Sequence, residues 1–181
     1  GYGDIMDKSI LAVNKDSLER VLVKNPMIKS AQVYYSLDGY IHVNIQQREP
    51  VLRVLTGEGY YVDRDGRVMP LSSKFTSRVV VATGDINKKF ACEKLGPFAM
   101  KLKNEPFWDA YIEQLVVRSN EDVVMIPKVG DFRIVLGKVD DCEARLEKLM
   151  LFLKDGITKK GWNRYKEINL KFDNQVVCVR K

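Results

Sequence analysis

The sequence predicts an α+β chain in two parts: a small helix-and-strand unit over about residues 1–50, and a larger unit over 51–181 with a mainly antiparallel sheet and packed helices. Three observations predict it. A strand alternating Ile41, Val43 and Ile45 inward with His42, Asn44 and Gln46 outward runs up to Arg48-Glu49-Pro50. There proline removes a ladder donor and biases Glu49 towards an extended shape, which marks a seam. Asp65-Gly66 lies between Tyr60-Tyr61-Val62 and Val68-Met69, a short-range hairpin signal. Finally, apolar runs at 115–118, 122–127 and 132–136 are joined by Ser119-Asn120 and Val129-Gly130, the spacing of an antiparallel meander.

In the first part, Asn14-Lys15-Asp16-Ser17-Leu18-Glu19 opens a helix. Asp16 is placed to cap it, with Glu19 at capping-box spacing; such a cap is worth about 1 kcal/mol. Leu18, Val21 and Leu22 form one apolar face, and Asn25-Pro26 stops the helix. A strand with Ala31, Val33 and Tyr35 alternating follows, and Asp38-Gly39 turns it into the strand through Ile41. Helix, strand, turn and strand are too little to bury both faces of a sheet. Something is expected in front of them, and without it a strand edge stays exposed.

In the second part, Val51 to Leu55 start a new β run, and Pro70 ends the pairing of the following hairpin. Arg78 to Gly84 is apolar without alternation, which predicts a buried strand. Phe98 to Leu102 predicts a short helix closed by Glu105-Pro106. The aromatics of Phe107-Trp108-Asp109-Ala110-Tyr111-Ile112 read as core packing at the start of the next strand rather than as a binding box. After the meander, Gly137 lets the chain leave the sheet. Asp140 or Asp141 then caps a helix whose Cys142, Leu146, Leu149 and Leu153 form one stripe, closed by Gly156. The chain closes in a hairpin: Ile168, Leu170 and Phe172 alternate, Asp173-Asn174 turns, and Val176 to Val179 return.

Bulk properties exclude several functions. The 181 residues, 45% hydrophobic and 30% charged, suffice for a core. A net charge of +6 admits a polyanion or an anionic membrane surface as partner. Acids and bases are interspersed, however, and only the stretch from Lys154 to Lys181 is biased, which reads as a solvated basic face rather than a nucleic-acid groove. No run is long and apolar enough to span a bilayer, and the first residues lack a signal-peptide pattern, so the chain as written is expected to be soluble.

Nothing points to catalysis. Cys92, Cys142 and Cys178 have no metal-ligand spacing, and so odd and sparse a count suggests a reducing compartment or buried thiols. Asp63-Arg64-Asp65-Gly66 opens like a calcium loop but lacks the remaining oxygen ligands and the distal Glu, so a hairpin turn is expected. His42 is the single histidine, outward on its strand with no triad partner, and the glycines are scattered turn formers. No catalytic residue, metal or cofactor is expected.

Arg48-Glu49-Pro50-Val51, then Tyr60-Tyr61-Val62-Asp63 with Gly66, and Met69-Pro70-Leu71-Ser72, resemble the extracytoplasmic part of the bacterial cell-division family FtsQ (DivIB), particularly its Bacteroidetes-like versions. A second anchor is Phe132-x-Ile134-x-Leu136-Gly137 followed by a helix. A third is the closing hairpin, where the family pattern Asp-Leu-Arg-Tyr stands as Asn169-Leu170-Lys171-Phe172. Leu18-Glu19, Leu22, Asn25-Pro26, Ala31, Val33, Asp38-Gly39 and Arg48-x-Pro50 resemble the second half of a POTRA module, whose order is strand, helix, helix, strand, strand. Its first strand and part of its first helix find no obvious counterpart in residues 1–12.

The resemblance implies a partial POTRA module at 1–50, an FtsQ-type β domain at 51–181, and a single membrane-spanning helix ahead of them in the cytoplasmic (inner) membrane. It places this region in the periplasm at the division septum, against the cysteine argument. It implies a non-enzymatic divisome scaffold that recruits the small coiled-coil proteins FtsB (DivIC) and FtsL, together with other divisome membrane proteins, and binds no nucleic acid. Lys171 and Phe172 fall on hairpin positions that touch the partner, and Arg145 on the basic position of the helix; Phe172 reads equally as a sheet-core ring, and both readings stand at this point. Val176, Val177, Val179 and Arg180, in the last strand, offer an edge for strand addition. Two other functions stay open: a POTRA-containing outer-membrane assembly factor and a basic nucleic-acid-binding domain.

Overall fold

The computed structural model describes residues 14–72, 76–157 and 164–181. The chain divides into two compact units, Gly1–Glu49 and Pro50–Lys181. The architecture is α+β, as the alternation and turn signals predict.

The first unit contains α1 (Lys15–Val23), β1 (Ile28–Tyr35) and β2 (Ile41–Gln47). The helix starts at Lys15, so the cap is Asn14, whose side chain accepts the Ser17 N–H at 3.2 Å; Asp16 lies inside the first turn instead of capping it. Glu19 closes no capping box. It reaches across to β1 and accepts the Val33 N–H at 2.7 Å. β1 and β2 pair antiparallel, with Val33 opposite Val43 and Ala31 opposite Ile45. Ala31 and Val33 are buried, whereas Val43, Ile45 and Val21 of α1 are exposed, against the inward placement expected of them. The reason is that α1 packs on β1 and leaves β2 uncovered among the described residues. The expectation for residues 1–12 falls outside the described residues.

The second unit is a nine-stranded sheet of β3 (Pro50–Val54), β4 (Tyr60–Asp63), β5 (Val68–Pro70), β6 (Val80–Gly84), β7 (Ile112–Val117), β8 (Val123–Pro127), β9 (Arg133–Gly137), β10 (Tyr165–Asn169) and β11 (Val177–Arg180). Its order is β11-β10-β9-β8-β7-β6-β3-β4-β5. The expected hairpin is β4–β5 and the expected meander is β7–β8–β9, all antiparallel. Parallel pairs join β3 to β6, β6 to β7, and β9 to β10; the last two crossovers carry helix, whereas β3 reaches β6 by way of the β4–β5 hairpin. The Asp63 carboxylate accepts the N–H groups of Asp65 at 2.9 Å and Arg67 at 2.7 Å, so the calcium-like run is a hairpin turn.

Helices cover one face of this sheet. α2 (Lys88–Phe90), capped by Asn87, runs through a π-helical stretch, Ala91–Leu95, into α3 (Gly96–Asn104). α4 (Pro106–Tyr111) follows at once: the Phe107 to Tyr111 aromatics form a helical turn instead of opening a strand, because Pro106 sits at its first position. α5 (Glu143–Leu151) continues as a π-helical segment, Phe152–Ile157. Its stripe of Cys142, Leu146, Leu149 and Leu153 is buried in one core with Leu115, Met125, Ile134 and Ile168 of the sheet. Neither Asp140 nor Asp141 caps α5. Cys142 is its N-cap residue without a side-chain bond, the Asp140 carboxylate takes Lys94 Nζ at 2.6 Å, and Asp141 adopts φ 48°. β6 is central but not sealed: Ala82 is buried, while Val80 and Val81 are half-buried and Thr83 accepts a 2.7 Å hydrogen bond from the Gln114 amide.

Candidate partner-docking edge

β11 lies at one end of the sheet order, with β5 at the other, and among the described residues only β10 pairs with it. The Lys181 N–H meets the Arg164 carbonyl at 3.2 Å, so the alternation of the strand directs the N–H and C=O of Arg180 and Cys178 outward, away from β10. Three apolar side chains stand open beside this edge: Val177 is 36% exposed, Val179 47% and Phe172 46%. Of the two readings of Phe172, the sheet-core ring is therefore the one the structure rejects. Val176 is half-buried and packs against the core, and Arg180 is exposed.

Two of the three basic residues predicted for this site, Arg145 and Lys171, are engaged within the chain. Arg145 donates through Nη1 to the Leu136 carbonyl at 2.9 Å and through Nη2 to the Asp140 carbonyl at 2.6 Å, bracing the turn at Gly137, whose φ is 85°. Lys171 Nζ pairs with the Asp122 carboxylate at 2.6 Å, and its N–H is accepted by Asn169 Oδ1 at 3.0 Å. Asn169, standing where the family pattern has an acid, thus serves the local turn.

Sequence reasoning missed Lys148. Its Nζ donates to the Phe172 carbonyl at 2.6 Å and the Leu170 carbonyl at 3.3 Å, tying α5 to the stretch that presents Phe172. The signal available was a lysine directly beside the apolar stripe of α5; its target could not be read without the strand register. Further ion pairs hold the ribbon, Arg133 to Glu167 at 2.7 Å and Lys181 to Asp131 at 2.8 Å, the latter drawing the Asp131 carboxyl below the usual range.

Among the described residues no cluster of three His, Cys, Asp or Glu side chains could hold a metal, and no helix is long and apolar enough to cross a membrane. His42 is exposed and stacks on Tyr34 at 5.0 Å. All three thiols are free, and burial pushes each of them above the ordinary thiol range, away from nucleophilic use.

A POTRA-like domain model matches residues 3–46, beginning ahead of the point where the sequence suggests a recognisable half-module. No curated protein matches the chain. A family model described as FtsQ/DivIB, C-terminal related, matches residues 49–179, most of the chain and all of the sheet but its last residue. The chain therefore belongs to the FtsQ/DivIB C-terminal related family, a family of cell division.

Proposed function

We propose that this chain is a non-enzymatic divisome scaffold, working in the periplasm beside the cytoplasmic membrane, that holds FtsB/DivIC-like and FtsL-like coiled-coil proteins by adding a partner strand to β11. One observation carries this reading: the outer side of β11 has no strand on it among the described residues. A partner strand supplies the missing ladder, so affinity comes from backbone hydrogen bonds and specificity from side chains at the rim. Phe172, Val177 and Val179 offer apolar contact, with Arg180 as the exposed base. Arg145, Lys171 and Lys148 act as positioning residues, since their cationic groups already hold the turn, Asp122 just ahead of β8, and the Phe172 stretch.

Two substitutions test it by titration with an FtsB-like peptide. Phe172→Ala is expected to weaken binding about tenfold, the loss of a ring contact, while the melting temperature stays within a few degrees. Arg180→Pro deletes an outward N–H that an edge strand can do without, and is expected to weaken binding further. A large loss of stability in Phe172→Ala with binding intact per folded molecule, or unaltered binding in Arg180→Pro, overturns strand addition at β11.

A further inference from the structure

α5 has two flanks. Arg145 and Lys148 lie on the one that meets the end of β9 and the Phe172 stretch. The other borders a groove of about 500 Å³ between α5 and the α3–α4 corner. Trp108, Leu146 and Met150 form its floor, and Leu151 stands at its mouth, 64% exposed. Phe107, edge-on to Trp108 and stacked on Tyr111, is 41% exposed.

The charge around this groove is opposite to that of the whole chain. Glu105, Glu143 and Glu147 border it, against Lys101 alone. Lys101 is taken by Glu143 in an ion pair that bridges α3 and α5. Among the described residues no cation pairs with Glu105 or Glu147, although the protein carries a net +6. A pair of unneutralised carboxylates beside an open apolar floor is matched by a partner carrying both apolar side chains and cations.

The spacing says which shape. Leu146 and Met150 are four residues apart on α5, and so are Glu143 and Glu147, which sets an apolar ridge and an acidic ridge side by side along the helix. A second helix presents rows at the same spacing and interleaves with such ridges, whereas an extended strand does not match it.

We propose that this groove is a second docking surface, separate from β11, for an amphipathic helix of a partner protein whose apolar stripe is flanked by Lys or Arg. The apolar stripe lies on Trp108, Leu146 and Met150, and the cations face Glu105 and Glu147.

The test uses the full chain and a fluorescent peptide of about 18 residues, long enough to form a helix on binding, with leucines at i, i+4 and i+7 spacing flanked by lysines. A second peptide has glutamates in place of the lysines. The lysine peptide is expected to bind at low salt, weaken as salt rises, and shift the Trp108 indole N–H resonance; the glutamate peptide is not expected to bind. Because the chain is itself basic, attraction of a basic peptide cannot come from its overall field. The double variant Glu105→Lys with Glu147→Lys is expected to weaken the lysine peptide at least about tenfold with an unchanged melting temperature, since both side chains are exposed. Phe172→Ala is expected to leave this binding untouched, which separates it from the β11 reading. Equal binding of the two peptides, undiminished affinity in the double variant, or loss of binding in Phe172→Ala overturns the proposal.

Discussion

Valine does different work in β8 and β11. In β8, Val123 and Val124 are 0% and 2% exposed, with β7 on one side and β9 on the other. In β11, Val177 and Val179 have β10 on one side only and stand half-open to solvent. Burying such a side chain contributes about 1.5–3 kcal/mol, so the β8 valines belong to the fold's stability and those of β11 add much less to it. Position in the sheet order assigns the role, since both strands read from the sequence as short apolar runs. It follows that damage at the centre should cost folding, and damage at the ribbon should cost binding.

The strongest test of that division is Gly84→Ala. Gly84 ends β6, pairs with Val117 of β7, and has φ 104°, a conformation that side chains rarely adopt. A Cβ there would sit 2.0 Å from the Val117 carbonyl oxygen. Backbone has no rotamer to move, so relief requires β6 to part from β7. A loss of about 4 kcal/mol or more is expected, seen as insoluble protein or a fall in melting temperature of roughly 10 °C or more. A Gly84→Ala chain that melts like the parent would show that the β6–β7 pairing is not what holds the centre.

Most of what makes the centre was legible, and most of what makes the ribbon was not. Asp65-Gly66 sets a turn within four residues, and Cys142, Leu146, Leu149 and Leu153 follow the helical period, so the hairpin and the buried face of α5 follow from local chemistry. The α2 stretch with its π-helical turn escaped, as no clean period survives a change from i+4 to i+5 bonding. α4 was read as a strand start because aromatics favour both states until Pro106 is placed at a helix's first turn. At the candidate site Val177, Val179 and Arg180 do lie on the last strand, with Val176 just ahead of it, whereas the bonds that Arg145 and Lys171 make within the chain were not foreseen. Leu136 and Asp122, the residues they hold, lie 9 and 49 positions away, and only the sheet order brings Asp122 within reach of Lys171.

A smaller effect, and one that sharpens the comparison, is expected at Lys148. Replacing it with Met keeps the stem that packs beside α5 but removes the donor to the Phe172 and Leu170 carbonyls. The site is half-buried, so a cost of about 1 kcal/mol, or a few degrees of melting temperature, is expected. Binding at β11 should fall by more than that stability loss explains, because the Phe172 stretch is freed to move. Equal losses in the two measurements would make Lys148 a plain stabilising contact.

The smallest effect expected is a slope with pH, and it again separates centre from ribbon. Burial pushes up the thiols of Cys142, beneath the sheet, and Cys178, in β11; around Cys142 the cations Lys101 and Arg145 offset part of that rise. An unfolded thiol loses its proton near pH 8.5, while the folded thiols hold theirs to higher pH. Below pH 8.5 both states are protonated and stability does not depend on these groups. Above it the unfolded chain releases protons first, so stability falls as pH rises. The raised phenols of Tyr60 and Tyr111, and Lys94 held by Asp140, act in the same direction but only above about pH 10. Urea unfolding at about pH 7.5 and 9.5 therefore isolates the thiols. Cys142→Ala should flatten the decline more than Cys178→Ala, because the first side chain is fully enclosed and the second only half so. A decline that neither substitution changes would place the titrating group elsewhere, and a larger change at Cys178 would mean that the ribbon is more tightly closed than the exposure of its valines allows.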